Sequence, residues 1–277
     1  MDIIDTAAAL RQRLATEQSV CFVPTMGNLH AGHIGLVELA RQQGKCVVVS
    51  IFVNPLQFGP NEDLASYPRT LEADCEKLQA AGADIVFAPS AAEMYPVAQS
   101  MLVTPPPIAN ELCGAARPGH FDGVATVVLK LFNIVQPQTA IFGKKDFQQL
   151  FIIRELVRQF NLPVSIVAGE TSRETDGLAM SSRNGYLTAA QRLEAPRLQR
   201  ALQLVVTAIQ GGNRDFSAIE AQTTQYLTQM GWIVDYISVR SAITLAPAMA
   251  SDRQLIVLGA AKQDRTRLID NIEFNIV

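Results

Sequence analysis

Tryptophan occurs once, histidine three times and cysteine four times in 277 residues, and aromatic residues make up only 6% of the chain. The cysteines, Cys21, Cys46, Cys75 and Cys113, are widely scattered. They form neither CxxC pairs nor a dense scaffold, which excludes a disulfide framework and predicts a reduced, cytoplasmic protein. No apolar run exceeds the strand-sized stretch 46–53, far below the ~20 residues a membrane helix needs. The first residues, MDIIDTAAALRQRL, hold no basic n-region followed by an apolar h-region, so no export signal is expected. Nor is there a Lys/Arg stripe. With a formal net charge of -3, nothing draws the chain to a phosphate backbone, and a nucleic-acid partner is not expected. A local basic pocket for a small anion remains compatible with that charge.

The composition is 48% hydrophobic and 18% charged, which excludes disorder as the main state. A chain of this length buries roughly three quarters of its unfolded surface. Between residues 19 and 170, β-branched runs (SVCFVPTM, CVVVSIFV, DIVFAPS, TAIFG, PVSIVAG) alternate with helix-length amphipathic segments. Strands so uniformly apolar are buried on both faces, which requires a parallel sheet between helices. The prediction is an α/β fold: a Rossmann-like doubly wound parallel sheet over 1–170, with its ligand beyond the strands' C-terminal ends. Residues 171–277 are expected to form a smaller C-terminal α+β domain. Its three late runs, WIVDYISV, RQLIVLGAA and RLIDNIEFNI, read as a small sheet. VTPPPIAN reads as a rigid, non-helical loop inside the first domain.

The first predicted strand runs into Pro24-Thr25-Met26-Gly27-Asn28-Leu29-His30-Ala31-Gly32-His33, where a helix begins. A glycine turn feeding a helix N-terminus offers backbone N–H groups and the helix dipole to an anion. His30 and His33 share one face of the opening turn and point at a phosphate held there, while Gly32 leaves room for a base or ribose. Two other readings stand beside this one: a zinc pair lacking a correctly spaced third ligand, and helix-capping or core histidines. The glycine spacing is not that of a dinucleotide-binding fingerprint.

The sequence His30-Ala-Gly-His33 resembles the HxGH signature of the nucleotidylyltransferase superfamily. Five further blocks narrow the likeness: Phe52-Val53-Asn54-Pro55-Leu56-Gln57-Phe58; Tyr67-Pro68-Arg69-Thr70; Arg117-Pro118-Gly119-His120-Phe121; Gly143-Lys144-Lys145-Asp146-Phe147-Gln148-Gln149; and 176–184 (DGLAMSSRN). In order and spacing they resemble the pantoate–β-alanine ligase (pantothenate synthetase) family, and the likeness continues to Arg267 and Asn271. The resemblance implies ATP-dependent condensation of pantoate with β-alanine through a pantoyl adenylate, releasing pyrophosphate and then AMP. It also implies Mg2+ with ATP, and a homodimer. An HxGH adenylyltransferase that stops at a nucleotide product, and a noncatalytic nucleotide-binding module, are the competing readings; fold alone does not decide.

Attack at phosphorus needs fixed donors and cations for the growing oxygen charge. His30, His33, Lys145 and Arg183 are the catalytic candidates, with His33 the donor toward the α-phosphate by resemblance. Lys145 follows the strand TAIFG, which puts it at the ligand edge of the sheet. The resemblance implies ATP contacts from Met26, Gly27, His30, His33, Gly143, Lys144, Lys145, Asp146, Met180, Ser181, Ser182 and Arg183. It also implies pantoate contacts from Gln57 and Gln149, with Asn54 near the metal or the amine substrate. No protein ligand to the metal is assigned. Asp63 and Asp74 are candidate outer partners of the magnesium, although an acid in LEADCEKL reads more simply as a solvated face. Cys113, four residues before Arg117, stands where many family members carry an acid, and a thiol cannot supply that charge.

Overall fold

The computed structural model describes residues 1–60, 62 and 64–276. The chain forms two compact units. The first comprises Met1–Ala109, Arg117–Lys144 and Gln149–Glu170; the second comprises Asn110–Ala116, Lys145–Gln148 and Thr171–Val277. No helix of the described residues is long and apolar enough to cross a membrane.

The first unit is built on a six-stranded sheet. In chain order it contains β1 (Asp2–Ile4), α1 (Ala7–Leu14), β2 (Val20–Thr25), α2 (Ala31–Gln43), β3 (Cys46–Ile51), α3 (Leu71–Ala81), β4 (Ile85–Phe87) and α4 (Ala91–Met94). The short α5 (Cys113–Ala116) falls in the second unit, and the first resumes with α6 (His120–Val135), β5 (Thr139–Gly143), α7 (Phe147–Gln159, from Gln149 onward) and β6 (Ser165–Gly169). The strands lie in the order β1-β4-β3-β2-β5-β6 and every pair is parallel. The period-2 alternation of a strand divides β2 between two faces. Cys21 and Val23 join Val37 and Ala40 of α2 and Leu78 of α3 in one buried cluster. Phe22 faces the other way and meets the ring of Phe132 on α6 edge-on, at 6.4 Å. Strand β1 was not expected from the sequence; it is three residues long, largely exposed, and pairs only with β4.

Because all six strands are parallel, their C-terminal ends share one edge. The order reverses at β2: the chain continues from β2 through α2 to β3 on one side, while β5 pairs on the other. Such a switch point opens a crevice beyond the strand ends. The turn after β2, Asn54–Gln57 after β3 and Gly143 at the end of β5 all stand at this edge.

The second unit holds α8 (Ala189–Glu194), α9 (Arg197–Gln210), α10 (Phe216–Gln229), β7 (Ile233–Ser241), β8 (Gln254–Gln263) and β9 (Thr266–Asn275). The strands form an antiparallel sheet, β7-β8-β9. Helix α9 buries Leu198, Leu202, Val205 and Ile209, at helical spacing, in a core with Trp232, Leu255, Val257 and Phe274. The Pro-rich segment ends in a 3-10 turn, Pro107–Asn110, rather than staying wholly non-helical.

Candidate active site

In the first unit the turn after β2 carries two consecutive left-handed residues, Gly27 (φ 82°) and Asn28 (φ 51°). A Cβ on Gly27 would stand 3.0 Å from Ile51 Cγ2 and 3.2 Å from Asp74 Oδ2, so this position needs glycine for both space and conformation. Asp74, fully buried on α3, clamps the turn. Its Oδ2 accepts from Asn28 N at 2.8 Å and Thr70 Oγ1 at 2.9 Å, and its Oδ1 accepts from Leu29 N at 2.8 Å. Lys77 Nζ donates to Leu29 O at 2.7 Å. The solvated-face reading of Asp74 is therefore corrected: its oxygens are taken by backbone N–H groups and a hydroxyl. Asp63 lies outside the described residues.

His30 is the N-cap of α2. Its Nδ1 accepts from Gly32 N at 3.1 Å, and His33 Nδ1 lies 3.4 Å from His30 N, closing a capping box. The ring centroids are 4.1 Å apart. A ring nitrogen that accepts from a backbone amide carries no proton, so the hydrogen bonds assign the neutral Nε2–H tautomer to both imidazoles. The capping role thus occupies Nδ1 of each ring. Among the described residues no group of three or more His, Cys, Asp or Glu side chains is arranged to hold a metal.

After β3, Asn54 is buried and caps the 3-10 turn Pro55–Gln57. Its Nδ2 donates to Gln57 Oε1 and to Gly123 O, both at 3.1 Å, while its Oδ1 accepts from Leu56 N at 3.3 Å and Tyr95 OH at 2.7 Å. These four bonds use the full capacity of the amide. Helix α6 reaches this turn through Gly123, where a Cβ would stand 2.3 Å from Leu56 O. Gln57 Nε2 donates to Met26 Sδ at 3.0 Å, joining this turn to the one after β2. Gln149 is half-buried in the first turn of α7.

Arg117 forms a fork with Glu62, Nε and Nη2 each donating at 2.6 Å, and its Nη1 donates to His120 Nε2 at 2.9 Å. Arginine only donates, so His120 Nε2 accepts and its Nδ1–H donates to Gln57 O at 2.8 Å. Burial pushes the Glu62 carboxyl up, but the hydrogen bonds and charge of Arg117 outweigh it and hold the group below the ordinary carboxylate range. The partner of Arg117 is thus Glu62, not position 113. Lys144 pairs with Glu170 at 2.6 Å.

In the second unit Lys145 and Asp146 belong to a 3-10 turn that continues from Lys144. Asn271 Nδ2, on β9, donates to Lys145 O at 2.9 Å. The neighbouring Asp270 receives Arg173 through Nη1 at 2.7 Å and Nη2 at 2.9 Å. Arg173 and Ala179 form a bridge that leads into Met180, Ser181, Ser182 and Arg183. Ser181 caps the 3-10 turn Ser182–Tyr186, its Oγ accepting from Arg183 N at 3.2 Å. Asn184 Nδ2 ties the turn to Ala179 O at 3.0 Å. Met180 through Arg183 are all half-buried. Cys113 lies 3.1 Å from Tyr236 OH and 3.7 Å from both Nη1 and Nη2 of Arg267. All four cysteines are free, and burial raises Cys21 and Cys46 to about 11.

The predicted residues thus fall into two sets. Met26, Gly27, His30, His33, Asn54, Gln57, Gly143, Lys144 and Gln149 belong to the first unit, and Lys145, Asp146 and Met180 to Arg183 to the second. Sequence reasoning missed Asp74 as the turn clamp, Tyr95 and the Glu62–Arg117–His120 chain. Of these only the RPGH block carried a local signal.

A family model described as pantoate-beta-alanine ligase matches residues 2–273. The pantothenate synthetase of Methylobacillus flagellatus is 72% identical over 276 residues, 100% of this chain and 99% of that protein. That of Thiobacillus denitrificans is 60% identical over 274 residues, 99% of this chain and 97% of the relative. Among solved structures, pantothenate synthetase from Thermus thermophilus superposes with a TM-score of 0.92 at 44% identity, covering 98% of this chain and 99% of the other. The pantoate-beta-alanine ligase from Francisella tularensis, complexed with beta-gamma ATP and beta-alanine, gives a TM-score of 0.83 at 34% identity, covering 98% and 97%.

Proposed function

As the chain belongs to the pantoate–β-alanine ligase family and is a ligase that forms pantothenate, we propose that it does so in two steps through a pantoyl adenylate, with ATP as its energy source. A pantoate carboxylate oxygen attacks the α-phosphorus and pyrophosphate leaves. The amine of β-alanine then attacks the acyl carbon, forming the amide and releasing AMP. A solved relative bound to a form of ATP and to β-alanine supports both substrates.

The observation that carries this reading is the pair of backbone amide contacts at Nδ1 of His30 and His33. With Nδ1 of each ring turned to a backbone amide, Nε2 of His30 and His33 bears the proton and serves as donor to phosphate oxygens at the head of α2. A fixed donor there strengthens as charge grows on the nonbridging oxygens. His33 acts on the α-phosphate, and Lys145 and Arg183 supply positive charge. Met26, Gly27, Gly143, Lys144, Asp146, Met180, Ser181 and Ser182 line ATP. Gln57 and Gln149 hold pantoate through neutral amides, which orient the carboxylate without the ground-state stabilisation that would blunt its attack. Asn54 acts on substrate through Gln57, its own polar atoms being taken.

Magnesium accompanies ATP in this reading. Among the described residues no group of three or more His, Cys, Asp or Glu side chains is arranged to hold the ion, and the oxygens of Asp74 are taken by the turn; bound with ATP, the ion would supply positive charge to the phosphate oxygens, and no step is routed through it. On the family likeness the reading extends to a homodimer in the cytoplasm. Isotope exchange tests the route: with ATP and pantoate but no β-alanine, labelled pyrophosphate enters ATP. Exchange that strictly requires β-alanine contradicts a separate adenylate.

A further inference from the structure

We propose that Tyr95 is a positioning residue for the acid substrate, fixing through Asn54 which end of the Gln57 amide faces pantoate. The inference rests on the pantoate role given to Gln57. An amide's two ends are told apart by their partners. Asn54 faces one obligate acceptor, Gly123 O at 3.1 Å, and one obligate donor, Leu56 N at 3.3 Å, which tell its two ends apart, while the Tyr95 hydroxyl at 2.7 Å is the shorter hold on Oδ1. Its Oδ1 can then only accept from Tyr95 OH, and its second Nδ2 hydrogen can only be received by Gln57 Oε1. The chain of bonds runs in one direction, from the phenol through Asn54 to Gln57.

Consequently Gln57 spends its acceptor inside the protein and presents Nε2–H. That group rests at 3.0 Å on Met26 Sδ, a weak acceptor that a carboxylate or hydroxyl oxygen displaces readily. The backbone of Gln57 is held as well, by His120 Nδ1–H on its carbonyl. An unpinned amide could rotate to offer its carbonyl, which repels an anionic oxygen. Tyr95 is itself anchored without its hydroxyl: its ring lies 6.0 Å from that of Phe52, and Lys130 Nζ stands 5.0 Å from its centroid. Burial pushes its phenol up to about 12, so the hydroxyl keeps its proton at neutral pH.

The test is a double-mutant cycle with Tyr95→Phe and Gln57→Ala, reading KM for pantoate, KM for ATP, kcat and the thermal midpoint of each protein. One polar contact of this kind is worth roughly tenfold. Tyr95→Phe is expected to raise KM for pantoate by about that factor, leaving ATP binding, kcat and folding nearly unchanged. In the Gln57→Ala background it adds nothing further. Tyr95→Phe without effect on KM for pantoate, or with the same effect in both backgrounds, overturns the inference. If Gln57→Ala itself leaves KM for pantoate unchanged, the role of Gln57 is wrong and the inference falls with it, an outcome distinct from the others.

Discussion

Asn271 donates from Nδ2 to the backbone carbonyl of Lys145 across 2.9 Å. The bond holds the backbone of Lys145, so it governs where that side chain starts. Asn271 is buried, at 6% exposure, and adjoins Asp270, which anchors Arg173 and the strand into Met180–Arg183. Two adjacent residues of β9 therefore hold the segments that carry both proposed cations. Asn271→Ala is expected to slow adenylation by about tenfold through misplacement of Lys145, at a stability cost of about 1–2 kcal/mol. Pyrophosphate exchange and denaturant unfolding measure the two separately. A loss of stability with unchanged exchange would assign Asn271 to the fold alone.

His30 and His33 separate the same way. Each is expected to cost about 10²-fold or more in adenylation rate when replaced by Ala. Only His30 is the N-cap, so His30→Ala should also destabilise the fold by about 1 kcal/mol, and His33→Ala by less. Equal activity losses with unequal unfolding midpoints are the expected pattern, checked by single-turnover adenylation and urea titration.

Asp74→Ala removes acceptors from Asn28 N, Leu29 N and Thr70 Oγ1. Each buried amide left unpaired costs about 1–3 kcal/mol. The variant should lose on the order of 3 kcal/mol or more, and ATP affinity should fall with the turn. A urea midpoint close to the parent's would show that the turn holds itself.

The Glu62–Arg117 fork gives a pH dependence of known sign. The folded carboxyl sits below its unfolded value, which is about 4.3. Its contribution is complete above that value and is lost as pH falls through the folded one. Glu62→Gln should therefore be less stable than the parent at neutral pH, with the gap closing below about pH 4.3. Denaturant titrations from neutral to acid pH follow it; a gap that widens in acid contradicts the pairing.

The sheet was legible because β2 and β3 are apolar but for Thr25 and Ser50 near their ends, as strands buried on two faces are. Strand β1 was not, since Asp2 to Ile4 is too short and too exposed to show a period. The placement of the candidate site residues was legible where it is local: His30 and His33 in one helical turn, and Gln57 beside Asn54. Its supports were not. Asp74 meets its turn 45 and 46 residues away, and Arg117 finds Glu62 at a separation of 55. Four residues upstream of Arg117 stands Cys113, which sits instead with Tyr236 and Arg267. Burial and hydrogen-bond completion, set by tertiary packing, decide what such residues do.

The most direct test of the central claim follows an oxygen atom. If the pantoate carboxylate attacks the α-phosphorus, the oxygen that forms the bridge stays with phosphorus when the amine displaces AMP. With pantoate labelled by 18O in both carboxylate positions, mass spectrometry should find one labelled oxygen in AMP and the other in the amide carbonyl of pantothenate. AMP without label, or label in the pyrophosphate or in inorganic phosphate, would contradict the adenylate route.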